Sequence, residues 1–167
     1  MLKKLLAATA LAAIPVSLAA ANDSPIYGSV ASKCTIYTDV TGVYAQPTPD
    51  ELTTDPTDGG VQPKIRYDVS IADYYMAKIS WPNAFQSSPT LTDTVTWDGE
   101  TEVAEVTETA MSDYETNKVE YNNVTEFDLD TAGTVWFKVT STAEYGYGKA
   151  FPAGDYTAVV SAECIAQ

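Results

Sequence analysis

Histidine is absent from this chain, cysteine occurs only twice, and nine basic residues face twenty-three acidic ones. Each shortage excludes a class of chemistry. Without imidazole there is no Ser-His-Asp or Cys-His nucleophile and no histidine-bearing zinc site. Cys34 and Cys164 have no metal-ligand spacing around them, so they are read as one structural disulfide joining the first strand to the last, which leaves no reactive thiolate. A formal charge of −14 at pH 7 repels phosphate backbones and anionic lipid, arguing against nucleic-acid binding and electrostatic membrane docking. No glycine-rich phosphate loop sits between a strand and a helix. Carboxylates are too many and too evenly spread to single out a glycosidase pair. The expectation is a non-enzyme without a cofactor.

What is present begins with an export signal. Lys3 and Lys4 precede an apolar run from Leu5 to Leu18, and Ala19 and Ala21 supply the small-x-small cleavage pattern. Residues 1–21 are therefore expected to be a signal peptide, with export through the periplasm to the cell surface or beyond. The run is short for a membrane span, and nothing after it approaches one. The layout that follows is an N-terminal extension over 22–33 and a single β-domain over 34–167.

In the rest of the chain the apolar residues recur with period two, the mark of half-buried strands. In the extension, Ile26, Gly28 and Val30 share one face; Cys34 and Ile36 open the first strand. Residues 46–62 read as an acidic, proline-rich loop. Ile65, Tyr67, Val69 and Ile71 alternate with polar residues, as do Tyr75, Ala77, Ile79 and Trp81, and only Ala72-Asp73 lies between; a tight hairpin or one bulged strand is expected. Asp98-Gly99 predicts a type I′ hairpin between Thr94–Trp97 and Glu102–Val106. Residues 110–123 are expected to hold a short strand or one helical turn. Phe127 and Leu129 point inward, Ala132-Gly133 turns the chain, and Val135, Phe137 and Val139 form another apolar face. Tyr156–Cys164 makes a terminal strand. Seven or eight such strands predict an all-β, antiparallel β-sandwich of Ig-like or jelly-roll type.

Two kinds of site are worth weighing. Asp50, Asp55 and Asp58 before Gly59-Gly60, and Asp128 with Asp130 before Gly133, are oxygen-rich enough to suggest calcium, but neither matches an EF-hand loop, and turn-forming aspartates account for them. Trp136, Tyr145 and Tyr147 are candidate contacts for a glycan or a surface protein, since aromatic faces stack on sugars. Trp136 opposes Val135 and Phe137 and is the best placed of the three to face outward, whereas Tyr75 and Trp81 share the parity of Ile79 and belong to the core.

The Cys34 strand, Tyr67-Asp68-Val69, Val95-Thr96-Trp97-Asp98-Gly99 and the closing Pro152-Ala153-Gly154-Asp155-Tyr156-Thr157-Ala158-Val159-Val160 together resemble major subunits of bacterial fimbriae of the chaperone-usher type. That resemblance implies an incomplete Ig-like fold whose missing strand comes from the N-terminal extension of the next subunit, here residues 22–33 with Ile26, Gly28 and Val30. It also implies self-association into a filament, adhesion, and a periplasmic chaperone as partner. The pairing of Cys34 with a cysteine in the last strand departs from the family, whose disulfides usually join the first two strands.

Overall fold

In the computed structural model the described residues are 33–146 and 149–167. They form two antiparallel sheets packed face to face, with one short helix. Ile26, Gly28 and Val30 of the extension, and Tyr147, lie outside the described residues.

The first sheet is organised around its longest strand. The strands in chain order begin β1 (Cys34–Val40), β2 (Glu51–Thr53), β3 (Lys64–Val69), β4 (Tyr75–Ser80), β5 (Phe85–Ser87) and β6 (Val95–Val106). After the one-turn helix α1 (Tyr114–Asn117) come β7 (Val119–Tyr121), β8 (Val124–Leu129), β9 (Gly133–Tyr145), β10 (Thr157–Ala158) and β11 (Ser161–Ala166). Along β9 the odd positions Val135, Phe137, Val139, Ser141, Ala143 and Tyr145 are buried, while the even positions face outward. This strict alternation fixes register, because a slip of one residue would turn the whole apolar set to solvent. β6 ladders along nearly the full length of β9, with Val95 opposite Tyr145 and Val106 opposite Val135. On the other side of β9, β3 takes the first half and β2 the second, and β1 pairs with β3. The second sheet runs β11-β4-β8-β7, and β10 pairs with β5 as a separate small ribbon.

Between the sheets lie Tyr67, Phe127, Phe137, Ile79 and Leu129, none more than 1% exposed. The Phe127 and Phe137 rings sit 4.3 Å apart, and Tyr67 meets Phe137 edge-on at 5.5 Å. Each such side chain contributes about 1.5–3 kcal/mol through burial, which makes this cluster the main source of stability. A second cluster, Leu52, Ala143, Tyr145 and Phe151 with Phe85, Trp97 and Tyr156 against it, extends the core beneath the far half of β9.

Four sequence expectations are corrected. β3 and β4 are neither a hairpin nor one strand: they lie in different sheets, and residues 70–74 form the corner between them, with Asp73 at φ 55° and Ile71 exposed. Alternation shows that a strand is half-buried but not to which sheet it belongs. Asp98-Gly99 is not a turn but lies in the middle of β6. Glycine is required there by close approach, since a Cβ on Gly99 would stand 2.7 Å from the Thr140 carbonyl oxygen and 2.7 Å from the Trp81 ring. The acidic 46–62 segment contains β2 and a 3-10 turn at Pro56–Asp58. The terminal strand is split into β10 and β11, which serve different partners.

Candidate functional site: the two seams of the sandwich

A sandwich has two lateral seams where the edge of one sheet faces the edge of the other. In this fold they are built very differently. One runs between β1 and β11, the other between β6 and β7.

At the β1–β11 seam, Cys34 and Cys164 are bonded across the sheets, with their Cα atoms 6.4 Å apart and a sequence separation of 130. Beside the bond, the Tyr67 hydroxyl donates to the Glu163 carbonyl at 3.1 Å, a second link from first sheet to second. Burial pushes the Tyr67 hydroxyl well above the ordinary tyrosine range, with Glu163 adding to the effect. Away from the disulfide the seam opens. Thr38 has the inward parity of Cys34 and Ile36 yet is exposed. A cavity of about 220 Å³ lies at this far end of β1, lined by Thr38, Gly42, Pro63, Ile65, Ser141 and, just before β11, Val160. Its polar rim is partly occupied: Tyr44 and Ser141 share a hydrogen bond at 3.0 Å, and burial raises the Tyr44 hydroxyl. Val159, lining the cavity, and Val43, next to Gly42 in the chain, are about half exposed.

The β6–β7 seam is closed by the chain itself. After β6 the chain passes through residues 107–118, which anchor in the core by Met111 and Tyr114. The Tyr114 hydroxyl accepts from the Thr131 amide at 3.1 Å and lies 3.3 Å from the Thr131 carbonyl. Gly133, at φ 149°, leaves the space that the Met111 methyl fills. Lys118 then reaches Glu115 at 2.8 Å, Glu120 at 3.0 Å, Glu100 at 3.4 Å and the Thr101 carbonyl at 3.0 Å, joining α1, β7 and β6 through one ammonium. Burial pulls its pKa down, but the hydrogen bonds it donates to Glu115 and Glu120 outweigh that, and the net shift is upward. No sequence signal singled this node out. Glu115, Lys118 and Glu120 fall in the 110–123 stretch, where the sequence predicts only a short strand or one helical turn, and Glu100 is too distant in the chain to be associated with them.

The outer face of the first sheet holds Trp136. It stands in register between Arg66 on β3 and Glu105 on β6, with Tyr37 beyond Arg66. The Trp136 indole donates to Asp39 at 2.7 Å, and the Arg66 guanidinium lies 4.4 Å over the Tyr37 ring and within 3.4–3.6 Å of Asp68 and Asp39. Trp136 is thus half-buried on an outward face. Tyr145, the second candidate contact, is a core residue at 4% exposure, with its hydroxyl accepting from the Thr92 amide; that bonding to Thr92 lowers its pKa. Its odd position on β9 decides this, and it offers no ring face to a ligand.

The aspartates do not converge. Asp55 caps the 3-10 turn by accepting from both the amide and the hydroxyl of Thr57, which lowers its pKa. Asp50 accepts from Thr48, Asp130 from Thr131 and Asp128 from Gln167. Among the described residues no three metal-ligating side chains come together.

Compared with known proteins, the chain matches no family model, no curated protein and no solved structure. Function therefore has to be read from the seams themselves.

Proposed function

We propose that this chain is an exported structural subunit that joins further copies of itself by β-strand addition at the β1–β11 seam, building a surface filament. The cavity in that seam carries the reading. An apolar slot beside a sheet edge is filled most economically by an extended segment, which supplies ladder hydrogen bonds through its backbone and packs alternate side chains into the slot. The segment 22–33 has that alternation in Ile26, Gly28 and Val30.

The attachment point lies away from the cavity. Lys33, where the extension joins the domain, accepts from the Ser70 amide and donates to the Tyr75 hydroxyl, at the disulfide end of the seam. The cavity opens at the other end of β1, about 20 Å away at about 3.3 Å per residue. In this reading the segment that fills the slot comes from the extension of a second copy. Head-to-tail donation of this kind does not close on itself and grows a filament. The disulfide fits assembly in an oxidising exterior, and among the described residues no helix is long and apolar enough to cross a membrane.

Deleting residues 22–32 from the exported chain tests the proposal. End-to-end assemblies in electron micrographs of the full-length mature chain, and their loss on deletion, support it. Unchanged assembly after deletion removes the extension from the mechanism. A second reading, a glycan-binding module, has one observation in its favour: Trp136 is presented beside Tyr37 and Arg66 on an outward face already held in place by hydrogen bonds and an ion pair.

A further inference from the structure

β6 is the longest strand in the molecule with a sheet partner on one side only among the described residues, and by geometry it should be the most dangerous edge. Twelve residues of ladder offered to solvent would template pairing with any second copy. Which of its backbone groups face that edge follows from β9. Val139 donates to the Pro63 carbonyl, and Ser141 exchanges bonds with Thr54, so both point their backbone away from β6. Their partners across the ladder, Thr101 and Gly99, must then turn their own N–H and C=O groups to the free edge, as must Val103.

Three of these groups are met by side chains. The Gly99 amide donates to Asp98 Oδ1 at 2.8 Å, the Thr101 carbonyl accepts from Lys118 Nζ at 3.0 Å, and the Val103 amide donates to Glu115 Oε2 at 2.7 Å. They are successive ladder positions, and the sequence donor, acceptor, donor is answered in order by carboxylate, ammonium, carboxylate. The side chains occupy the places a neighbouring strand's backbone would take. Two of the three come from the 107–118 excursion, which is held in position by Met111 and Tyr114 in the core, so the arrangement is anchored and not a chance meeting of surface charges.

We infer that this excursion is an edge guard: Glu115 and Lys118, with Asp98, hold the free ladder of β6 against strand addition by a second copy of the chain. The guarding of β6 stands on these contacts alone. The corollary, that association is thereby confined to the β1–β11 seam and is polar, rests on the strand-addition reading above.

The full mature chain carrying Glu115→Ala and Lys118→Met is compared with the parent by sedimentation velocity and by hydrogen exchange at individual amides. The guard predicts self-association about tenfold tighter than the parent's, the equivalent of one or two recovered ladder hydrogen bonds. In the associated form, protection should appear at Gly99 and Val103. Glu115→Gln, which keeps an acceptor for the Val103 amide, should behave as the parent. A double variant that melts cooperatively yet sediments as the parent does overturns the inference. Should the double variant unfold, Glu115→Ala alone decides: unchanged exchange at Val103 and unchanged sedimentation overturn it. Failure of the filament reading shows separately, as absence of end-to-end assembly in the parent.

Discussion

The two seams of this sandwich solve one problem in opposite ways. At β6–β7 the chain crosses from sheet to sheet in sequence, and Lys118 binds three carboxylates and a carbonyl drawn from both sheets and the connecting turn. At β1–β11 no such local connection exists; a covalent bond and the Tyr67–Glu163 hydrogen bond hold one end, and the other end gapes around an apolar cavity. A fold that needed only stability would close both. The slot on one side is the feature that the proposed strand addition would use.

The strongest loss of stability comes from the open seam. Replacing both cysteines by serine removes a loop closure across 130 residues, and the chain-entropy model puts the loss at up to about 5 kcal/mol, read as a fall in the denaturant midpoint. A loss below about 1 kcal/mol would mean that the open seam is held by packing and that the contrast is overstated. At the closed seam, Lys118→Met leaves Glu100, Glu115 and Glu120 facing one another and the Thr101 carbonyl without its ammonium. Because the carboxylates are largely exposed, solvent screening limits the cost to about 1–2 kcal/mol.

Alkali should weaken both seams together. Tyr67 and Lys118 each have a folded pKa above the unfolded value. Their stabilisation is complete below the unfolded value, about 10, and drains away as pH rises from there toward the folded pKa. The melting temperature should therefore hold through neutral pH and fall above about 10, with the last tyrosinate absorbance appearing only as the chain unfolds. Independent ionisation of every tyrosine in the folded state would contradict the placement of Tyr67. The smallest effect belongs to the outer face: Trp136→Ala should cost about 0.5–1 kcal/mol, the value of a cross-strand pair. Titration of glycans against the same variant tests the second reading, and binding unchanged from the parent would remove Trp136 from any site.

The sequence made the strands legible wherever one face is buried, since alternation at Ile65–Val69, Ala77–Ile79, Phe127–Leu129 and Val135–Val139 is forced by the pleat. It was silent on which sheet each strand joins, and so the corner at 70–74 passed for a hairpin or a bulge. Gly99 misled because a glycine required by close approach of Thr140 and of Trp81, just past β4, looks the same as one required by a turn. The pairing of Cys34 with Cys164 was readable because no other cysteine competes. Neither seam was readable as a site: the cavity is built from residues of 38–65, 82, 141 and 158–160, and the Lys118 node from the return of α1 along β6.

The most direct measurement is a titration of a peptide spanning residues 22–32 into a mature chain lacking that segment, followed by hydrogen exchange along β1 and β11. Strand addition at the open seam predicts saturable binding with new amide protection along β1, beside Thr38, and none at Val103 on the guarded edge. Protection that appears at β6 instead, or a peptide that leaves every β1 amide unchanged, would contradict it.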